Sequence, residues 1–99
     1  MKVRILTSCT GEKQFSPDNQ LTQGDFRLLH DREAFKARED ALAEYRVAAE
    51  DLYTGRQHAR LMQGVKQLRE KAGSVNVELW ILSAGYGLIS GDRQIVPYE

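Results

Sequence analysis

Between Arg32 and Leu52, Phe35, Leu42, Tyr45, Ala49 and Leu52 recur at spacings of three, four and seven among charged and alanine positions. That period predicts one amphipathic helix over 32–52. A second helix is predicted over 55–72, where Leu61, Met62, Val65, Leu68 and Ala72 share a side. Thr54-Gly55-Arg56-Gln57 has capping-box form at its start, and Lys71 followed by Gly73 is a stop signal. Residues 2–7 read as a short apolar strand. Val75, Val77, Leu79 and Ile81 alternate with Asn76, Glu78, Trp80 and Leu82, so 79–82 is apolar on both faces. Such a strand belongs in the middle of a covered sheet. Residues 83–87 break it, a turn follows at 90–93, and 94–96 is a short extended piece. Residues 21–30 fit a short helical or irregular segment anchored by Phe26, Leu28 and Leu29.

Strand, helices, strand is the order of a βαβ unit, which predicts parallel pairing through a crossover. The expected fold is α/β: a parallel-sheet βαβ core with two main helices in a three-layer, Rossmann-like arrangement. A chain of 99 residues makes a single domain, 1–99. Two strands alone form a thin sheet. Either further short strands come from 86–96, or the chain is the N-terminal part of a larger domain. The ending at Pro97-Tyr98-Glu99, without a closing helix or strand, favours the second.

Charge changes the picture locally rather than globally. Fourteen bases balance fourteen acids, which argues against non-specific duplex binding through a broad basic face. The signs are sorted, however. Residues 31–55 carry four bases and seven acids, whereas 56–72 carry Arg56, Arg60, Lys66, Arg69 and Lys71 against Glu70 alone. A solvated helix face explains this, and so does a local anion site. Mean hydropathy is −0.51 and no apolar run approaches a membrane span. The opening residues are too few and too charged for a signal peptide. Cys9 is the single cysteine. Together these features predict a soluble, cytoplasmic protein with no membrane partner.

In an open α/β sheet, ligands gather outside the carboxyl ends of the strands. Here that edge is built from loops 7–13 and 83–87, joined by the start of the second helix if it faces the same way. Ser8, Thr10 and Ser83 offer hydroxyls there, Gly11 and Gly85 allow close backbone approach, and Lys13 and Arg56 suit a phosphate or carboxylate. Tyr53, Tyr86 and Tyr98, each beside a glycine or proline turn, suit stacking on a base; the other reading for each is a core aromatic. Ordinary strand-to-helix turns also look like this. Cys9 reads either as a nucleophile near Lys13 or as a small buried strand-end cysteine, and His58 as a catalyst or a first-turn cap contact. Standard motifs fail on spacing. Thr10-Gly11-Glu12-Lys13 lacks the P-loop glycines, Gly85, Gly87 and Gly91 miss the dinucleotide spacing by one residue, and Cys9, His30 and His58 make no zinc pattern. No metal and no cofactor is expected.

Four blocks occur in order: Ser8-Cys9 with Lys13, Leu52-Tyr53-Thr54-Gly55, Ile81-Leu82-Ser83-Ala84-Gly85-Tyr86-Gly87-Leu88-Ile89, and Pro97-Tyr98-Glu99. They resemble a family of small bacterial and phage α/β domains of unknown function, with the pattern SCxxxK, LYTG, ILSAKYGLL and PYD. Members are sometimes labelled peroxide-stress-like. Some accompany enzymes that exchange 7-deazaguanine bases in tRNA or DNA. A similar segment occurs in archaeosine-synthesis proteins, where the fold is likened to uracil-DNA glycosylases. Gly85 stands where that family often has Lys, and Glu99 where Asp is common. Family members usually continue beyond this point.

The resemblance implies a domain that handles a nucleobase, nucleoside or nucleotide, with metal-free hydrolysis or transfer at an N-glycosidic bond as the expected reaction. Glu99 and Glu12 are then the candidate catalytic carboxylates. Ser8, Thr10, Gly11, Lys13, Tyr53, Arg56, Ser83, Gly85 and Tyr86 are the candidate ligand-binding residues. The alternative is a non-catalytic module for a nucleotide, a nucleic-acid end or a protein partner. A third reading is a scaffold half whose site is completed by further sequence.

Overall fold

The computed structural model describes residues 2–9, 11–27 and 31–98. Elements run β1 (Val3–Ser8), α1 (Gln23–Phe26), α2 (Arg32–Ala41), a 3-10 turn (Ala43–Tyr45), β2 (Val47–Ala48), α3 (Ala49–Leu52), α4 (Arg56–Ala72), a second 3-10 turn (Ser74–Asn76), β3 (Val77–Ser83), β4 (Gly87–Ser90) and β5 (Gln94–Ile95). Among the described residues this is a small mixed α/β domain with four helices.

β1 and β3 run parallel, in register from Val3 beside Val77 to Ser8 beside Leu82. Their exits therefore share one rim. The sheet is not all-parallel, because β4 turns back through residues 84–86 and pairs antiparallel with β3, Ser83 opposite Gly87. A separate antiparallel pair joins β2 to β5. Segment 86–96 thus supplies extra strands, but they make the arrangement mixed rather than purely βαβ. The apolar alternation of β3 puts Val77, Leu79 and Ile81 in the core with Val65 of α4 and Ile89 of β4. The opposite face carries Leu6, Trp80, Leu82 and Leu88, exposed by 70, 37, 53 and 58%. Sequence pattern predicted cover on both faces; the described residues cover one. Two layers are formed here rather than three.

The predicted helix over 32–52 is broken. α2 starts as expected, with the Asp31 carboxylate accepting from the Ala34 N–H at 3.2 Å. It stops at Ala41 because Val47 and Ala48 pair with Gln94 and Ile95, a distant partner that local periodicity cannot report. The predicted capping box at Thr54 is also absent. Gly55, at φ 100°, is the N-cap of α4 and its backbone sets the entry, a conformation that suits glycine alone. The other end of α4 matches its stop signal: Gly73 has φ 88°, with Arg69 and Lys71 in the last turn. Phe26 anchors α1 in the core region as expected, while Leu28 and Leu29 lie outside the described residues.

Ion pairs lock the peripheral helices. Arg38 of α2 grips Asp25 of α1 through two bonds of 3.0 and 3.2 Å and also donates to the Asn19 carbonyl. Arg69 of α4 grips Glu50 of α3 at 3.1 and 2.8 Å. Both are bidentate and half-buried, the geometry in which such pairs fix orientation.

Candidate functional site

Parallel pairing brings the two predicted loops side by side. The Cys9 N–H donates to the Leu82 carbonyl at 3.0 Å, and the Ala84 N–H donates to Cys9 Sγ at 3.2 Å. Residues 12–14 are then stitched to 52–54: Thr54 N–H to the Glu12 carbonyl at 2.9 Å, Gln14 N–H to the Leu52 carbonyl at 2.7 Å, and a bridge between Lys13 and Tyr53. The start of α4 consequently faces the same rim.

Under the rim lies a closed ring of hydroxyls. Tyr53 donates to Ser83 Oγ at 2.9 Å, Ser83 and Tyr98 are 2.8 Å apart, and Tyr98 and Tyr53 are 2.6 Å apart. Ser83 Oγ also accepts the Tyr86 N–H at 3.0 Å. With both lone pairs of Ser83 engaged, its proton goes to Tyr98, and Tyr98 completes the ring toward Tyr53. Burial raises the Tyr53 phenol well above its usual range and raises that of Tyr98 as well, which favours the protonated form of both. Tyr86 is raised as well, first by burial and then by donating to Glu39 at 2.8 Å.

These contacts revise several expected roles. Tyr53 is buried, with 2% of its surface exposed, so its ring has no face left for a base. Tyr86 is half-buried among Phe26, Phe35 and Tyr98, with the Arg93 guanidinium 5.4 Å over its ring, so its ring packs against the core. Ser83 is buried and fully bonded, so its hydroxyl is structural rather than ligand-facing. Gly85 is a packing glycine: a Cβ there would come within 2.5 Å of the Phe26 ring. Lysine, the residue the resembling family often has, would need that ring to move.

Other candidates do stand at the rim. Ser8 and Gly11 are exposed, and a Cβ on Gly11 would meet open space. Arg56 is exposed in the first turn of α4. Lys13 is half-buried, its ammonium 4.4 Å from the centre of the Tyr98 ring and 3.5 Å from the Gly11 carbonyl. Desolvation lowers its pKa, partly offset by nearby Cys9. Glu12 is exposed, and its carboxylate sits 3.4 Å from where a Cβ on Gly55 would be. It therefore lies beside the start of α4, near the place predicted for a ligand anion. Thr10 and Glu99 lie outside the described residues.

Tyr98, weighed as a stacking or a core aromatic, and Cys9, weighed as a nucleophile or a buried strand-end thiol, also belong to this constellation, Tyr98 buried and Cys9 Sγ accepting from Ala84. The signal for Tyr98 was its Pro97-Tyr98 block, and for Cys9 its position one residue past β1. His58 is a different case. Its Nε2 lies 2.7 Å from the Glu50 carbonyl; a carbonyl only accepts, so Nε2 carries the proton and His58 ties α4 to α3. Among the described residues, no helix is long and apolar enough to cross a membrane, and no three His, Cys, Asp or Glu are grouped to hold a metal ion. No protein-family model, curated protein or solved structure matches this chain.

Proposed function

We propose that the rim at the carboxyl ends of β1 and β3 binds a small nucleobase-, nucleoside- or nucleotide-type molecule. Lys13 takes its phosphate or a sugar oxygen, Ser8 and the Gly11 backbone supply hydrogen bonds, and Arg56 adds charge from the start of α4. The observation that supports this most is the state of Lys13. Its ammonium is drawn partly out of water over an aromatic ring, with no carboxylate partner among the described residues. An arriving anion offsets that lost hydration, so binding and partial burial favour each other. The nucleoside class comes from the resemblance of the four motif blocks.

Hydrolysis or transfer at the N-glycosidic bond is the reaction proposed for such a ligand. Water or an acceptor adds to the anomeric carbon as the base leaves, and Glu99 positions it or offsets positive charge developing on the sugar. The Glu12 carboxylate lies beside Gly55 at the start of α4, and the role is assigned to Glu99. The same placement, with the hydroxyl ring fully satisfied, favours a second reading: a module that binds this ligand and does not cleave it.

A thermal-shift and calorimetry panel of bases, nucleosides and nucleotides tests the proposal. Nucleotides are expected to stabilise the wild-type chain, with about tenfold weaker binding in Lys13→Met, which keeps the apolar stem. Silence across the panel rejects the proposal. Glu99→Gln separates the two readings, because loss of turnover with affinity retained marks the enzyme.

A further inference from the structure

β1 has the sequence Val3-Arg4-Ile5-Leu6-Thr7-Ser8, with no proline, glycine or bulge, in unbroken register with β3. It stands at the end of its sheet, and no described residue pairs with its outer side. Half of its backbone N–H and C=O groups therefore point away from the protein. Edge strands are usually protected by proline, bulges, short length or inward charges. β1 has none of these: its single charge, Arg4, bonds Glu78 at 3.1 Å.

Next to this edge is a groove of about 410 Å³ whose wall includes Ile5, Leu61, Val65 and Leu68, flanked by Arg60 and Lys71. Ile5 is the strand residue in that wall, so the groove runs along the β1 side of α4. On the other face of the strand Leu6 is largely exposed. A strand laid against β1 would put alternate side chains into the groove and beside Leu6. Arg60 and Lys71 are eleven residues apart on α4, about 16 Å at the helical rise. An extended chain returns to the same face after four residues, about 13 Å, and the long arginine and lysine side chains span the remainder. Both are exposed and have no acidic partner among the described residues. A second copy presenting its own β1 would bring another basic α4 against this one, so like charge disfavours it.

We propose that the outer edge of β1 takes an extended segment of another protein by strand addition, with an apolar residue in the groove between two acidic residues that meet Arg60 and Lys71. This is separate from the rim site and does not depend on it.

The probe is a capped heptapeptide, Thr-Glu-Val-Ile-Val-Glu-Thr, titrated against the full chain by fluorescence anisotropy and followed by amide hydrogen exchange. Saturable binding is expected, with slowed exchange in β1. Replacing both glutamates by lysine should weaken binding about tenfold, as should Arg60→Glu with Lys71→Glu. Pairing the lysine peptide with the doubly substituted protein should restore it, an outcome that simple destabilisation cannot produce. Absence of saturable binding overturns the proposal. So does equal affinity of the glutamate and lysine peptides, or equal affinity of a peptide N-methylated at its centre. A dimer in sedimentation with β1 already protected would identify a second copy as the occupant and overturn it as well.

Discussion

The two faces of the central sheet are built from similar residues and meet opposite fates. Val77, Leu79, Ile81 and Ser83 of β3 point to one side, where α4, the β4 turn and the hydroxyl ring leave them buried. Trp80 and Leu82 point to the other, with Leu6 and Leu88 as their neighbours, and stay exposed. Hydrophobicity alone therefore does not decide which face becomes core. The helix stripe and the polar hub at the end of the covered face decide it.

The largest effect is expected at the centre of the covered face. Ile81→Ala should cost about 3 kcal/mol in denaturant unfolding, because the lost contacts leave a cavity. Leu82→Ala, one residue along, should cost under about 0.5 kcal/mol. Equal losses at the two positions would mean that the open face is covered in solution.

Gly91→Ala probes the same side at its closest packing. Its Cβ would fall 2.7 Å from Glu50 Oε2 and 3.1 Å from Leu79, and Glu50 is held by Arg69. A loss of about 2 kcal/mol is expected from this overpacking. Glu50→Ala in the same background should recover part of it, since the nearer obstacle is then gone.

The hub comes next. Ser83→Ala removes the acceptor shared by Tyr53 and the Tyr86 N–H, and should cost about 1–2 kcal/mol. Its tyrosines also set a pH limit. Their folded pKa values lie above the unfolded value of 10.0, so the folded chain holds protons that the unfolded chain releases. That contribution is intact below pH 10.0 and is lost as pH rises toward the folded values. Alkaline unfolding with tyrosinate absorbance rising in the same step is the expected result, less steep in Tyr53→Phe.

Much of this frame was legible in the chain. Alternation located β3, the 3.6-residue period located α4, and the strand–helices–strand order predicted the parallel pair. What sequence could not show was set by distant partners. The pairing of Val47 and Ala48 with β5 splits the predicted long helix, and the Glu12 side chain comes beside Gly55 at the helix end expected to hold a ligand. Residue type alone did not show how three of the candidate side chains are engaged. Tyr53, Tyr86 and Ser83 look like ligand contacts in sequence because they are polar-tipped beside turns. In the fold, those tips satisfy one another and Glu39.

The smallest effect on stability is expected at Lys13, which makes that residue the sharpest probe of function. Lys13→Met removes a partly desolvated charge and should change stability by under about 0.5 kcal/mol. Affinity for a phosphate-bearing ligand should fall as pH climbs through the lowered Lys13 pKa, below the ordinary 10.5, because the cation is then lost.

Backbone amide shift mapping during titration with a nucleoside monophosphate tests the central claim most directly. Changes clustered at residues 8–13, 54–57 and 83–86, abolished in Lys13→Met, are the predicted result. Changes confined to other surfaces, or unaltered in Lys13→Met, would contradict it.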